Sequence, residues 1–294
     1  MAAARPSVAR LIGDGLARAA RRYLDEEPSL EGTSSDPEHV HRARTSIRRI
    51  RAILRAGRAV TVPGAVDSVR QELKWLGGAL GAVRDADVMA RHLSDLGRPD
   101  RVGGGVTPAE VSDGISSLVA RLASERSGAF EALHVGMSTP RYSGLRADLA
   151  GLPAGITFLP SANKSARAVL PALIASEYRR LSRMVRKAGA STEPATLHAI
   201  RIQAKKCRYT AELAVDCCGK PAQRLVDVMG DLQDHLGLHH DMVVLTTWLR
   251  EGADNVDARS FLDRVATSEI DRLAAGWHDV WMRCASPAMV RWLK

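Results

Sequence analysis

The stretch HRARTSIRRIRAILR, residues 41–55, guides the interpretation of the whole sequence. It carries one histidine and six arginines in fifteen residues, with isoleucine and leucine between them. The pattern H-x-x-R-x-x-x-R-R-x-R returns in HAIRIQAKKCR, residues 198–208, where lysines replace two of the arginines. All five histidine and basic positions match at a constant offset of 157 residues. Two such matches indicate an internal repeat rather than an accident of composition.

The similarity continues downstream of each basic stretch. LGAVRDADV begins at Leu80 and LGLHHDMVV at Leu236, so that a glycine and an aspartate recur at an offset of 156 residues: Gly81 with Gly237, and Asp85 with Asp241. A further basic segment precedes each histidine, LARAARRYL at 16–24 and YRRLSRMVRK at 178–187. The sequence therefore predicts one domain over 5–294, made of two similar helical repeats at about 5–150 and 160–294.

The segments between these motifs complete the prediction of the fold. GLPAGITFLPSANKS, residues 151–165, is predicted to link the two repeats, and the glycine-rich residues 98–108 are predicted to form a loop. Apolar residues at helical spacing predict a helix over about 109–134. No long run alternates between β-branched and polar residues, so the predicted fold class is all-α.

Each histidine segment forms a two-faced helix when it is projected. Successive residues turn by about 100°, which places His41 and four arginines within an arc of about 80°. This basic stripe consists of His41, Arg44, Arg48, Arg51 and Arg55. The adjoining apolar face must be buried and consists of Val40, Ala43, Ile47, Ile50 and Leu54. Arg42 and Arg49 project outside the stripe. In the second copy the stripe is His198, Arg201, Lys205 and Arg208, beside the apolar Ala204, Cys207 and Ala211.

The stripes have no acidic neighbours along the chain. Residues 41–58 and 197–211 contain neither aspartate nor glutamate. Like charges three or four residues apart on a helix repel by a few tenths of a kcal/mol, so the compensating charge must come from elsewhere. One source is an anionic ligand, and the other is a set of acids on other helices: Asp85, Asp87, Asp231, Asp234 and Asp241. Asp87 projects to the side of Leu76 and Leu80, so we expect it to be partly buried and paired with an arginine.

Composition narrows the class of partner. The 294 residues carry a net charge of +9, which favours a polyanion such as DNA, RNA, anionic lipid or polyphosphate. No stretch approaches the roughly 18 uninterrupted apolar residues of a membrane span, and the N-terminal residues lack a secretory pattern. The four cysteines show no C-x-x-C spacing, so they are interpreted as reduced thiols of a cytoplasmic protein without membrane association.

The doubled motif resembles the conserved-histidine α-helical domain family, CHAD. The resemblance is carried by DPEHVHRARTSIRRIR (36–51), LHAIRIQAKKCRY (197–209), LGAVRDADV (80–88) and STPRYSGL (138–145). It implies a compact helical domain of two pseudo-symmetric four-helix halves, with a basic central groove or pore between them. It also implies that this groove binds long-chain inorganic polyphosphate without chemistry, and that the protein associates with polyphosphate granules. The alternating acids of the hydrolase domain that is fused to some family members are not found in this sequence.

On this resemblance, the residues expected to bind polyphosphate are those of the two histidine helices and the cations that precede or follow them: His41, Arg44, Arg48, Arg49, Arg51, Arg55, His198, Arg201, Lys205, Lys206, Arg208, Arg18, Arg22, Arg179, Arg183 and Lys74. Glu212 stands where the first repeat has Arg55, and His240 stands where it has Arg84. We therefore expect the first repeat to dominate binding. Protonation of the two stripe histidines is expected to strengthen binding below about pH 6.5.

Other functions remain as alternatives to polyphosphate binding. The same charges would bind nucleic acid nonspecifically, or other polyanions at low salt, although Tyr209 is the one aromatic residue in the two basic segments. His235 and His239, four residues apart with His240 and Asp241 beside them, have a spacing that can bind zinc. A phospho-acceptor role for His41 or His198 is a third alternative. The phosphate-binding loop, the nucleophile elbow and the dinucleotide turn are absent from the sequence, which predicts no enzyme activity and no cofactor.

Overall fold

A computed structural model describes residues 6–32, 36–98, 108–252 and 256–293. These ranges contain eleven α-helices and no named β-strand, which confirms the all-α prediction. The helices are α1 (Val8–Glu26), α2 (Pro37–Ala56), α3 (Asp67–Leu96), α4 (Pro108–Met137), α5 (Pro140–Ala150), α6 (Ala166–Ala188), α7 (Pro194–Glu212), α8 (Val215–Cys218), α9 (Lys220–Glu251), α10 (Val256–Cys284) and α11 (Pro287–Val290). Residues 5 and 294, the limits of the predicted domain, and most of the predicted loop at 98–108 lie outside the described residues.

The two histidine helices begin with the same local signals. Asp36 accepts a hydrogen bond from the backbone of Glu38 at 2.8 Å, and Glu193 accepts one from the backbone of Thr196 at 2.9 Å. A proline follows each capping residue, where its fixed φ favours the first helical turn. The predicted apolar faces are buried, since each of their residues is at most 2% exposed: Val40, Ala43, Ile47, Ile50 and Leu54 in α2, and Ala204, Cys207 and Ala211 in α7.

Neighbouring helices pack in the same chain order in each half. In the first half α1 packs on α2, α2 on α3, and α3 on α4, while in the second half α6 packs on α7, α7 on α9, and α9 on α10. The two histidine helices, α2 and α7, also pack against each other, which brings their basic stripes together. Each half contains more helices than the four that the resemblance implies, with α5 added in the first half and the short helices α8 and α11 in the second. The boundaries of the two repeats stay a prediction.

Both halves contribute to the hydrophobic core. One large cluster runs through the centre of the molecule, and a second joins the C-terminal part of α3 and α4 to α9 and α10 through side chains that include Leu93, Leu118, Leu245 and Phe261. The linker predicted at 151–165 is attached to the connection between α2 and α3, because the Leu159 amide donates to the carbonyl of Val60 at 2.8 Å. None of the helices that the structure describes is long and apolar enough to cross a membrane.

Candidate anion-binding site

Glycines on α3 and α9 lie beside arginines of the histidine helices. A Cβ atom at Gly81 would lie 3.5 Å from a terminal nitrogen of Arg44, and one at Gly237 would lie 3.6 Å from Nε of Arg201. Both distances are ordinary van der Waals contacts, and the two pairs occupy matching positions of the sequence repeat. Each guanidinium group therefore packs against the neighbouring helix beside the glycine of the repeated L-G motif.

A central pocket lies where α2 and α7 meet α3 and α9. Its basic and titratable lining residues are His41, Arg44, Arg48, Arg84, Arg201, Lys205 and His240. Two carboxylates at repeat-equivalent positions, Asp85 and Asp241, also line it. A carboxylate oxygen of Asp85 lies 3.3 Å from Arg44, and one of Asp241 lies 3.8 Å from His92. The pocket therefore combines guanidinium groups of both halves with incomplete internal compensation of their charge.

A basic pocket adjoins the central pocket and shares Arg48 and Lys205 with it. Six cations line it: Arg48, Arg51, Arg55, Arg70, Lys74 and Lys205. Its one lining carboxylate, Asp67, contacts Arg70 at 3.1 Å. The buried Nε of Arg48 and a buried terminal nitrogen of Arg55 have no hydrogen-bond partner among the described residues. Buried donors are normally paired, so these two guanidinium groups lack an acceptor that an anion would supply. The central and basic pockets together are called the basic groove.

The electrostatics of the basic groove reflect this surplus of positive charge. Burial, followed by the charges of Arg201, Arg48 and Arg44, lowers the pKa of Lys205 to about 7. Burial is also the largest cause that lowers the pKa of Arg51 and Arg55, with the charge of Arg70 as a further cause. Each cation is thus held in an environment that disfavours its charged form. A bound anion would reverse that preference.

The histidines of the groove favour their neutral forms. Burial lowers the pKa of His41 and His198, and burial together with the charge of His198 lowers the pKa of His240 to about 4. His198 and His240 face each other with 3.2 Å between their Nδ1 atoms, so that one ring accepts a hydrogen bond from the other. Histidine protonation was expected to strengthen binding below about pH 6.5. Because these pKa values are lowered, we expect that strengthening to begin at a lower pH.

The residues considered for a metal site have separate partners. His235 donates from Nε2 to the carbonyl oxygen of Leu273 at 2.8 Å, His239 is buried, and His240 contacts His198. In the part of the chain that the structure describes, no group of three or more histidine, cysteine or acidic residues is arranged to hold a metal ion. The spacing in the sequence places these side chains on one helix, but their tertiary contacts direct them to different neighbours.

A third pocket, the mixed pocket, lies next to the basic pocket and shares Ala52 and Tyr209 with it. It is lined by four predicted site residues and three acids: Arg18, Arg22, Arg49, Arg208, Glu212, Asp216 and Asp227. Glu212 contacts Arg49 at 2.8 Å and Arg208 at 3.3 Å, and Asp216 lies 3.7 Å from Arg18. The structure thus separates these four arginines from the basic groove and pairs three of them internally.

Of the remaining predicted site residues, some lie at the basic groove and others lie away from it. Lys74 lines the basic pocket, and Lys206 is close enough to Arg55 for that charge, after burial, to lower its pKa. Arg179 and Arg183 are exposed on α6 and line none of the three pockets. Two groove residues, Arg70 and Arg84, are absent from the predicted set. Each forms an ion pair with an aspartate three residues away, Arg70 with Asp67 at 3.1 Å and Arg84 with Asp87 at 3.9 Å. The sequence offered no signal for Arg70, whereas Arg84 entered the sequence analysis only through its replacement by His240 in the second repeat.

The acids that were expected to neutralise the stripes do so only in part. The side chain of Asp87 is 7% exposed and contacts Arg126 of α4 at 2.6 Å, which confirms that it is buried and paired. Its partner, however, lies outside the histidine helices. Asp85 forms an ion pair with Arg44, whereas Asp231 and Asp234 are exposed on α9. Internal ion pairs therefore account for part of the positive charge and leave Arg48, Arg51 and Arg55 for a ligand.

The buried positive charge of Lys205 is expected to lower the stability of the folded protein. The Lys205→Met variant is expected to have a higher free energy of unfolding than the parent at pH 6.5, because it removes a charge buried among arginines. The folded pKa of about 7 lies below the ordinary value of 10.5, so this cost is fully present below pH 7 and disappears as pH rises toward 10.5. Urea unfolding of both proteins at pH 6.5 and pH 9 checks this. A difference between the two proteins that grows with pH would contradict it.

Comparison with known proteins gives two kinds of match. A family model described as the CHAD domain matches residues 14–250. The crystal structure of the CHAD domain from the plant Ricinus communis is 23% identical, with a TM-score of 0.76, over 96% of this chain and 93% of that chain. PptA from Streptomyces chartreusis is 18% identical, with a TM-score of 0.71, over 94% of this chain and 99% of that chain. No curated protein sequence matches the chain. At these identities the structural matches establish the similarity of the fold.

Proposed function

Since this chain belongs to the CHAD domain family, we propose that its basic groove binds long-chain inorganic polyphosphate. The family is associated with polyphosphate-related proteins. The observation that supports the proposal most directly is the basic pocket, where six cations stand against one carboxylate and two buried guanidinium groups lack acceptors within the described structure. We further propose that the protein binds the chain without cleaving it and associates with polyphosphate granules.

The chemistry of polyphosphate fits this arrangement. Each phosphate unit of the chain carries one negative charge and presents oxygens to which a guanidinium group can donate two hydrogen bonds. The stripe arginines of α2 recur about once per helical turn, so they supply donors along a line rather than at one point. Release of the counterions that surround the free chain adds entropy and makes binding dependent on salt. A linear polyanion therefore suits the groove better than a single small anion.

Competition with DNA tests this proposal against nucleic-acid binding. Labelled long-chain polyphosphate is expected to bind at physiological salt and to remain bound when duplex DNA is added at the same phosphate concentration. The reason is that a duplex offers phosphates on a wide cylinder, and Tyr209 is the one aromatic residue lining the basic pocket for stacking. Displacement by DNA would contradict the proposal. Release of inorganic phosphate during a long incubation would contradict binding without cleavage.

A further inference from the structure

The mixed pocket occupies the position that the sequence repeat assigns to a second basic pocket. By the offsets of the repeat, Arg208 in the mixed pocket corresponds to Arg51 in the basic pocket, and Gln223 corresponds to Asp67. The two pockets nevertheless differ in charge. Six cations and one carboxylate line the basic pocket, whereas four cations and three carboxylates line the mixed pocket. The residue at the centre of this difference is Glu212, which stands where the first repeat has Arg55.

Glu212 lies between one arginine of each histidine helix. It is the last residue of α7, and its side chain is 16% exposed between arginines of the two histidine helices. One carboxylate oxygen contacts Arg49 of α2 at 2.8 Å, and the other contacts Arg208 of α7 at 3.3 Å. The carboxylate therefore accepts a hydrogen bond from Arg49, as neither Arg48 nor Arg55 achieves in the basic pocket. Its contact with Arg208 is an ion pair, since the buried Nε of Arg208 has no hydrogen-bond partner among the described residues. Such charge-assisted pairs are stronger than neutral hydrogen bonds, so an incoming anion has to compete with them.

We propose that Glu212 is a specificity-determining residue that occupies an anion position of the mixed pocket and thereby confines polyphosphate to the basic groove. This inference rests on the proposed function, because it concerns where the same ligand can bind. It also assigns a different role to two of the predicted site residues. Arg49 and Arg208 hold Glu212 in the free protein, so they contribute little to binding while that carboxylate is present.

The Glu212→Gln variant tests this inference. Removing the charge while keeping the shape is expected to raise the affinity for long-chain polyphosphate several-fold, because Arg49 and Arg208 become available to the chain. The plot of log affinity against log salt is expected to steepen by on the order of one unit, as additional cations release counterions. Fluorescence titration with labelled polyphosphate at several salt concentrations measures both quantities. The matched control is Asp227→Asn, which also removes one carboxylate of the mixed pocket but one that accepts from Gln223 at 2.7 Å.

A second comparison keeps the inference testable if the Glu212 variant folds poorly. Arg49→Gln in the parent protein is expected to change affinity by less than about twofold, whereas Arg55→Gln at the unpaired position is expected to weaken it by about fivefold. In the Glu212→Gln background, Arg49→Gln is expected to remove the gain. Equal losses from Arg49→Gln and Arg55→Gln in the parent, or an affinity and salt slope unchanged by Glu212→Gln, would overturn the inference while leaving the proposed function intact. Failure of the parent protein to bind polyphosphate would instead contradict the proposed function.

Discussion

Replacing Arg48, Arg51 and Arg55 together by glutamine is expected to weaken polyphosphate binding by about 100-fold, since each phosphate-facing cation contributes on the order of 1 kcal/mol. The three side chains follow one another along α2 and line the basic pocket. None of them has an ion pair with a carboxylate within 4 Å in the described part of the chain, so their charges are available to a ligand. Arg44 is expected to contribute less because it contacts Asp85 at 3.3 Å.

The control for this triple variant removes the same charge from another helix. Arg179, Arg183 and Arg186 are exposed on α6 and lie outside the three pockets, so replacing them with glutamine is expected to change affinity by only a few-fold. Similar losses in both triple variants would show that net charge, rather than the groove, determines binding. The free energy of unfolding provides a second check. It is expected to stay level or rise in the groove variant, because burial already disfavours the charged forms of Arg51 and Arg55.

The sequence predicts the histidine helices well because their signals are local. A capping residue, a following proline and apolar residues at helical spacing act within a few turns, and α2 forms with Ile47 and Ile50 fully buried as projected. The same projection identifies the side of the helix that carries Arg48 and Arg55 to the basic pocket. It also places Arg49 outside the stripe, and that residue lies in the mixed pocket. On α2 the angular position was a better guide than membership in the basic run, whereas on α7 the stripe residue Arg208 also lies in the mixed pocket.

The contributions of other helices could not be predicted in the same way. Arg70 and Arg84 enter the groove because α3 packs on α2, and the spacing along α3 does not contain that contact. Asp87 accepts a hydrogen bond from Arg126, 39 residues away on α4, in addition to its local ion pair with Arg84, so the identity of this partner depends on the tertiary packing of α3 and α4. Arg179 is basic and helical as predicted, but the sequence gives no information about which neighbours surround α6. The periodicity of the sequence identifies which residues share a face of a helix. The residues of other helices that contact this face are seen only in the packed structure.

The basic groove therefore holds charge that the folded protein does not neutralise. Arg48 and Arg55 bury donors without acceptors among the described residues, and Lys205 is surrounded by Arg44, Arg48 and Arg201. Each of these features opposes folding of the free protein, since a well-packed core would pair or exclude them. A polyanion that supplies both acceptors and negative charge would remove the cost upon binding. Affinity and stability are thus coupled, and the coupling can be measured through the group that titrates near neutral pH.

That group is Lys205, and affinity for long-chain polyphosphate is expected to fall by about tenfold between pH 7 and pH 8.5. Burial and the neighbouring arginines set its pKa at about 7 in the free protein, against an ordinary value of 10.5, while Asp241 acts weakly in the opposite direction. A bound polyanion favours the charged amine and raises this pKa, so binding takes up a proton and becomes weaker above pH 7. The pKa values of His41, His198 and His240 are lowered, which leaves these rings neutral throughout the interval.

Two variants separate this effect from a general loss of positive charge. Lys205→Met is expected to bind more weakly at pH 7 but with little further change up to pH 8.5, because the titrating amine is gone. Lys74→Gln removes a cation from the same basic pocket and is expected to weaken binding while keeping the pH dependence of the parent. Titrations with long-chain polyphosphate keep the contribution of the terminal phosphates small, and isothermal calorimetry in buffers of different ionisation enthalpy measures the proton uptake. If Lys205→Met retained the tenfold fall, another group would have to carry the titration, and the charge buried at the contact of α2 and α7 would not control binding.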